Sequence, residues 1–360
     1  MRSTQVLRSA FRLLALPIVA CASGARNLVI DTDIFSDVDD TGALLLAATA
    51  PNVNLLAVNI NVGSSYSALA ASAILAHYGK GDVPIGIVRP LANTSFFDDY
   101  AYELGEYASK VAYHFGSPSS SSLANGSSSS SSAYQPNLPW PPLNAEKAWD
   151  PMSLYRSTLA AAPDGSVTIA SIGFFENLSA LLNSTADALS PLTGPELVRR
   201  KVERLVVMGG AYPAGREFNF FGDDPSFTAH VINGWRGLTP IVFSGGELGG
   251  DVFSGTKLMR EGPEGDPVRR AYEWYTYGAA RPSWDPLTVL FAMGDGDGVG
   301  GMFEYGNEFG YNHVFANGSN VWVYDEAVTD QRFLRLRVSN ETAAAELDRL
   351  YLVGANTVGR

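Results

Sequence analysis

The sequence predicts an α/β protein with a doubly wound, mostly parallel sheet and helices on both faces. Short runs rich in Val, Ile and Leu alternate along the chain with longer segments of helical periodicity. Continuous apolar strands are typical of parallel sheets that are buried on both sides. The chain has 360 residues, a length at which large α/β enzymes commonly form one domain.

The order of the elements supports this fold class. Strand-like runs occur at 27–31, 54–61, 83–87, 166–172, 202–208 and 239–243, and helical patterns occur at 39–49, 68–78, 178–189 and 224–235. Near the C-terminus, the runs 321–324 and 333–338 predict an antiparallel pair and 343–352 predicts a closing helix. We therefore expect a small antiparallel addition after the parallel sheet.

The N-terminal segment predicts export. Residues 1–22 contain three arginines, an apolar run and the small-residue sequence Ala20-Cys21-Ala22, as in a secretory signal peptide. Its removal would leave one domain over 23–360, change the formal charge from −12 to −12 − 3 = −15, and remove the only cysteine. An acidic secreted chain is a poor partner for nucleic-acid polymers or anionic membranes, so a small neutral substrate is expected.

Two features of the chain predict exposed surface. The Ser- and Pro-rich segment 117–142 cannot bury apolar area, which predicts a disordered insertion within the domain. Six sequons predict glycan sites, at Asn93, Asn125, Asn177, Asn183, Asn317 and Asn340.

A cluster of carboxylates follows the first predicted strand. The stretch DTDIFSDVDD at 31–40 places five aspartates in ten residues, directly before a helical pattern. One helix start uses one capping residue, so capping explains one or two of the five. Clustered carboxylates at the carboxyl end of a strand are best neutralised by a hard divalent cation, which indicates a metal-dependent enzyme.

Further polar groups follow later strands. Ile172 and Met208 end two apolar runs, the sequence Glu217-Phe218-Asn219 follows shortly after, and Trp284-Asp285 precedes an apolar helix. Each motif also has a structural interpretation, because Met is common in cores, polar residues favour turns and Asp favours helix starts. Together they indicate one site at the strand ends.

These motifs in this order resemble the inosine-uridine-preferring nucleoside hydrolase family over most of residues 27–295. The resemblance implies calcium-dependent hydrolysis of the N-glycosidic bond of a ribonucleoside, which releases ribose and free base. It implies that calcium binds Asp33, Asp39, Asp40, the carbonyl of Ile172 and Asp285. Asp37 remains an alternative to Asp39, because this cluster is two residues longer than is usual in the family.

The resemblance also implies roles in catalysis and substrate binding. Asp33 is the expected base that takes a proton from the attacking water, and Asp31 would fix the loop from behind. Glu217 and Asn219 are expected to bind the ribose hydroxyls, with Met208 beneath the ring. No sequence feature sets the oligomeric state, so a homo-oligomer remains open.

Two positions depart from the family pattern. Trp284 stands where many members have a histidine that is proposed to protonate the departing base. Ser64 stands where the family usually has an asparagine that contacts ribose. An indole N–H is a hydrogen-bond donor but not a neutral-pH acid, so we expect Trp284, with Phe220 or Phe221, to stack on the base.

Two other functions remain open on the sequence. The Asp-x-Asp at 31–33 and the acidic run 294–298 also suggest a magnesium-dependent phosphatase of the haloacid-dehalogenase type, although no Lys follows the strand at 202–208. A secreted calcium- or sugar-binding protein that lacks turnover is the second alternative, because both departures lie in the expected substrate pocket.

Overall fold

The computed structural model describes residues 24–96, 104–116, 145–294 and 301–358. The predicted signal peptide, the Ser- and Pro-rich segment 117–142 and the sequon at Asn125 lie outside the described residues. No helix in the described part of the chain combines the length and apolar character needed to cross a bilayer.

The strands and helices alternate through most of the described chain. The strands are β1 (Arg26–Thr32), β2 (Val53–Ile60), β3 (Ile85–Ile87), β4 (Val167–Ile172), β5 (Val202–Met208), β6 (Ala214–Arg216), β7 (Ile241–Ser244), β8 (Phe253–Ser254), β9 (Arg281–Pro282), β10 (Phe303–Tyr305), β11 (Tyr311–Val314), β12 (Ser319–Val323) and β13 (Gln331–Leu336). The α-helices are α1 (Asp39–Thr49), α2 (Ser65–His77), α3 (Ala108–Phe115), α4 (Pro151–Ala161), α5 (Glu176–Asn183), α6 (Gly194–Lys201), α7 (Phe218–Phe221), α8 (Pro225–Gly234), α9 (Gly246–Gly249), α10 (Thr256–Glu261), α11 (Pro267–Thr276), α12 (Trp284–Ala292) and α13 (Asn340–Ala355).

The main sheet has the order β10-β13-β7-β5-β4-β1-β2-β3. All neighbouring pairs are parallel except β10 with β13. From β1 the chain winds outward through β2 and β3, and then returns to β4 on the other side of β1. This reversal is the switch point at which open α/β sheets bind ligands, beside the carboxyl ends of β1 and β4.

Both faces of the sheet are buried. On one face Val29, Ile169 and Val207 belong to an apolar cluster with α4, α5, α6 and α8. On the other, Ile30 and Val206 belong to a cluster with α1, α2, α12 and α13. Adjacent residues of one strand thus point into different cores, as expected for a parallel sheet between helical layers. The predicted fold class is confirmed.

Two local predictions were wrong. The expected antiparallel pair at 321–324 and 333–338 does not form, because β12 pairs with β11 and β6 whereas β13 pairs in parallel with β7 in the main sheet. The helix expected over 178–189 ends at Asn183. The chain beyond it turns around the buried Arg156, which hydrogen-bonds Ser184 and Asp187.

Candidate active site

A cavity of about 480 Å³ opens at the carboxyl ends of the central strands. Its polar side chains come from the segment after β1, from the first turns of α1 and α12, and from Glu217, Asn219 and Arg281. Its other walls carry aromatic and apolar side chains. The cavity therefore lies at the switch point of the sheet and combines a charged floor with aromatic and apolar walls.

Three buried aspartates converge on the floor. Asp33 follows β1, Asp40 lies in the first turn of α1 and Asp285 lies in the first turn of α12. One carboxylate oxygen from each lies within 4.8 Å of the others. None of the three caps a helix, because the N-cap positions are Val38 for α1 and Ser283 for α12. We call these residues the aspartate trio.

The aspartate trio has no neutralising cation among the described side chains that line the cavity, because the single basic residue there, Arg281, pairs with Asp37. Burial, and then repulsion from Asp37, raises the pKa of Asp33 to about 7. Burial and repulsion from neighbouring aspartates raise the pKa of Asp40 and of Asp285 well above the usual range. Such a donor set fits a hard divalent cation, which prefers carboxylate oxygens.

The remaining predicted ligands have different surroundings. Asp39 is buried beside the aspartate trio, and one of its oxygens accepts the backbone N–H of Asp285 at 3.1 Å. The carboxylate of Asp37 is instead held by Arg281, with 2.9 Å between Nε and Oδ1. Ile172 ends β4 and lines the same cavity. Asp37 is therefore engaged by a cation of the chain itself, unlike the trio.

Asp31 lies behind the floor and fastens neighbouring elements. It accepts hydrogen bonds from Tyr155 at 2.7 Å, Asn61 at 2.7 Å and Asn177 at 3.0 Å. Burial nevertheless raises the pKa of Asp31 to about 7. Because the Asn177 amide is buried and committed to this bond, the glycan predicted at Asn177 is incompatible with the folded chain.

The loops after β1 and β4 approach each other closely at Gly173. A Cβ at this position would lie 2.4 Å from the backbone nitrogen of Asp33 and 2.9 Å from Oδ1 of Asn61. No side chain can fit between these atoms without moving the loop that carries Asp33. Glycine at 173 is therefore required to bring the carbonyl end of β4 beside the aspartate trio.

Two buried tyrosines hold the loop between β1 and α1 by its backbone. The hydroxyl of Tyr107 donates to the carbonyl of Asp37 at 2.5 Å, and that of Tyr275 donates to the carbonyl of Ser36 at 2.7 Å. The loop is thus fixed from α11 and from the residue that precedes α3, both distant in sequence.

Glu217, Asn219 and Met208 line the same cavity as the aspartate trio. Glu217 caps the short helix α7 and accepts the backbone N–H groups of Asn219 at 2.9 Å and Gly210 at 3.1 Å. Burial of its carboxylate raises the pKa of Glu217 to about 7. The amide of Asn219 donates to the sulfur of Met208 at 3.1 Å. The structure therefore brings the three predicted sugar-binding residues together.

Trp284 and Ser64, the two departures from the family pattern, have different positions. Trp284 lines the cavity, and its indole N–H donates to the carbonyl of Gly246 at 2.8 Å. Only the face and edge of the ring remain for a ligand. Ser64 caps α2 and donates to the carbonyl of Thr94 at 2.6 Å. Ser64 is not among the described residues that line the cavity, so its position does not support the predicted ribose contact.

Several cavity residues were not singled out from the sequence. Phe218, which is 52% exposed, lines the cavity, whereas Phe220 is buried beneath Gly209 and Phe221 packs against Arg216. The stacking role expected for Phe220 or Phe221 is therefore wrong. The other unexpected lining residues are Ser36, Phe96, Leu104, Tyr275 and Arg281. None of the four histidines lines the cavity in the described part of the chain.

The chain is similar to proteins of one family. Residues 28–308 match the family model described as inosine-uridine preferring nucleoside hydrolase. An uncharacterised protein of Schizosaccharomyces pombe is 25% identical over an alignment of 291 positions, which covers 74% of this chain and 80% of that protein.

Solved structures of low sequence identity share the fold. A plant nucleoside hydrolase aligns with a TM-score of 0.58 and 16% identity, over 93% of this chain and 100% of its own. An inosine-uridine preferring nucleoside hydrolase from Bacillus anthracis gives 0.58 and 17%, over 92% and 100%. A purine-preferring ribonucleoside hydrolase from Gardnerella vaginalis gives 0.57 and 15%, over 92% and 99%.

Proposed function

Because the chain belongs to the inosine-uridine preferring nucleoside hydrolase family and is a hydrolase acting on N-glycosyl bonds, we propose that it cleaves ribonucleosides to ribose and free base with calcium as its cofactor. One observation carries the proposal. The aspartate trio, which offers carboxylates without a cation, lines the same cavity as Glu217 and Asn219. A sugar bound between them would meet both the ion and hydrogen-bonding side chains.

Calcium suits this floor because it accepts six to eight oxygen ligands with flexible geometry. Asp33, Asp40, Asp285 and the carbonyl of Ile172 would hold it, with Asp39 beside them. When bound, the ion supplies positive charge that orients the sugar hydroxyls and makes a neighbouring water more acidic.

The side chains of this protein perform the remaining steps. Asp33 takes a proton from the attacking water, whose oxygen bonds to C1′ of the sugar. The bond between C1′ and the base nitrogen breaks, and its electron pair leaves with the base. Glu217 and Asn219 bind the sugar hydroxyls, and Met208 packs beneath the ring. Positive charge develops on the sugar, as in other glycosyl transfers, and the carboxylate of Glu217 and the aspartates of the site stabilise it.

We assign Trp284 to stacking on the base, because its N–H is already bound to Gly246 and its ring lines the cavity. Stacking contributes about 1 to 3 kcal/mol per base. Trp284→Ala is expected to reduce kcat/KM more for purine than for pyrimidine nucleosides, measured by base release from both classes. Equal losses on the two classes would mean that the indole only fills space.

The direct test is a panel of nucleosides assayed for free ribose, with and without exhaustive chelation, combined with elemental analysis of the purified protein. We expect base release from at least one ribonucleoside, one calcium per chain, and loss of both metal and activity after chelation. Full turnover by metal-free protein would disprove the calcium proposal and leave the hydrolase assignment intact.

The same panel separates the two alternatives. A magnesium-dependent phosphatase would leave every nucleoside intact and would release phosphate from a phosphorylated substrate added with Mg²⁺. The acidic run that suggested it lies inside the family match, and residues 295–298 of it lie outside the described residues. A calcium- or sugar-binding protein would bind calcium and ribose with no release of base.

We also propose that the mature protein is secreted and glycosylated. The sequons at Asn93, Asn183 and Asn317 have exposed asparagines, which supports modification at these positions. Expression in a secretory host followed by enzymatic removal of N-glycans should lower the apparent mass. An intracellular protein of unchanged mass would contradict the proposal.

A further inference from the structure

The leaving base needs a hydrogen-bond donor that neither Trp284 nor a histidine can supply. The indole N–H of Trp284 is committed to Gly246, and no histidine lines the cavity among the described residues. When the C1′–N bond breaks, negative charge develops on the base. A group that stabilises this charge must present a free hydrogen-bond donor on the aromatic side of the cavity.

Arg281 meets this requirement. It lines the cavity, and its guanidinium carbon lies 5.5 Å from the ring centre of Trp284 and 5.5 Å from that of Tyr275. Nε and Nη2 both bind Asp37, so the plane of the group is fixed. Nη1 has no hydrogen-bond partner in the described part of the chain, and a fifth of the Arg281 side chain is accessible.

The other cavity donors are weaker candidates. The Asn219 amide donates to Met208, and the Tyr275 hydroxyl donates to the Ser36 carbonyl. Ser36 offers a hydroxyl, which is neutral. Arg281 is the single cation that lines the cavity among the described residues, and a charged donor forms a stronger hydrogen bond to a developing anion than a neutral one.

We propose that Arg281 is a catalytic residue that donates a hydrogen bond from Nη1 to an acceptor atom of the departing base. This inference rests on the proposed function and deepens it. The electron pair of the C1′–N bond moves onto the base, Arg281 stabilises the resulting anion without giving up its proton, and solvent water protonates the base after release. The contribution of Arg281 should be largest for nucleosides whose bases are poor leaving groups, such as inosine.

The test compares two leaving groups. Inosine needs stabilisation of its base, whereas the 4-nitrophenolate of 4-nitrophenyl β-ribofuranoside departs as a stable anion. Arg281→Met should lower kcat/KM for inosine by about 10²-fold, the usual effect of losing one donor to a developing anion. Its kcat/KM for the nitrophenyl riboside should change little. Calcium content and thermal unfolding are measured on the same samples.

Two controls distinguish the donor role of Arg281 from its role in holding the loop between β1 and α1. Tyr107→Phe removes another hydrogen bond that holds the same loop, so any loss of kcat/KM should be equal on the two substrates. Ser36→Ala removes the neutral hydroxyl and should not discriminate between them. If Arg281→Met is too unstable, Arg281→Lys and Arg281→Gln are compared by the ratio of kcat/KM for inosine to kcat/KM for the nitrophenyl riboside.

Equal losses on both substrates in every folded Arg281 variant would overturn the proposal and leave Arg281 as a positioning residue for Asp37. A selective loss in Ser36→Ala instead would assign the donor role to that hydroxyl. These outcomes differ from failure of the proposed function, which would appear as absence of nucleoside hydrolysis by the unmodified protein.

Discussion

Two of the places where the described part of the chain buries charge differ in whether that charge is balanced. Around Arg156, which is fully buried, Asp187 accepts at 2.8 and 2.9 Å, Ser184 accepts at 2.8 Å, and the carbonyls of Ser190 and Leu192 accept at 3.0 Å. Hydrogen bonds from Arg156 lower the pKa of Asp187 to about 2. The aspartate trio has only negative groups, and its pKa values are raised.

The difference separates structural charge from functional charge. The Arg156 cluster satisfies each nitrogen of its cation and fixes the chain over 184–192, so it needs no ligand. The aspartate trio leaves three carboxylates close together in a site that a cation can fill. An uncompensated buried charge is costly, so this imbalance is expected where binding supplies the missing partner.

The largest expected effect comes from removing one carboxylate of the trio. Asp40→Ala should abolish measurable turnover and calcium binding, because one of three converging ligands is lost. The metal-free variant should also unfold at a higher temperature than the metal-free parent, since repulsion within the trio decreases. Activity, metal content and thermal unfolding of both proteins, with and without calcium, test this expectation.

Asp187→Ala is the matched control from the balanced cluster. It leaves the buried Arg156 guanidinium without its carboxylate and should lower the free energy of unfolding, with calcium content unchanged. If the two variants changed metal content alike, or if metal-free Asp40→Ala were less stable than its parent, the contrast between the clusters would be wrong.

Asp33→Asn tests chemistry rather than charge balance. The amide keeps the shape of the side chain but cannot take the proton of the attacking water. Turnover should fall by about 10² to 10⁴, the usual range for loss of a general base, while the fold is retained. Turnover should be measured at saturating calcium. Near-parental turnover would transfer the base role to Asp39.

The smallest expected effect is a shift in stability with pH. The pKa of Asp33 is about 7 in the folded protein, whereas that of an unperturbed aspartate is 3.8, so the folded chain binds more protons between these limits. Without metal, the free energy of unfolding should therefore decrease as pH rises from about 4 to 7.

Calcium favours the ionised trio, so it should reduce the loss of unfolding free energy as pH rises, and the stabilisation by calcium should grow with pH. Thermal unfolding at about pH 5, 6 and 7.5, with chelator and with calcium, measures this stabilisation across the window between the two pKa values. Stability of the metal-free protein that rises through this window would contradict the assignment of an unbalanced cluster.

Much of the fold could be predicted because its signals are local. The run at 202–208 and the helix at 39–49 have the bounds of β5 and α1. The pairing of β12 with β6 and of β13 with β7 could not be predicted, because each joins strands that lie far apart in sequence. The early end of α5 likewise depends on Arg156, which lies on another helix.

The candidate site also contains residues that the sequence predicted and residues that it did not. The aspartates, Glu217, Asn219 and Trp284 stand in motifs, and the structure brings them to one cavity. Arg281 and Tyr275 were not predicted, because a lone arginine or tyrosine carries no local signal of what it faces. Ser64 is the opposite case, because the sequence singled it out as a ribose contact whereas its hydroxyl caps the start of α2.

The hydrogen bonds from Tyr107 and Tyr275 have a consequence for how the site meets its ion. They bind main-chain carbonyls, so part of the shape of the loop is held independently of the side chains that project from it. Conformational entropy of this segment is lost when the protein folds and need not be lost again when the ion arrives. Because the backbone is preorganised, the aspartate side chains can adjust to a bound ion without reordering the loop.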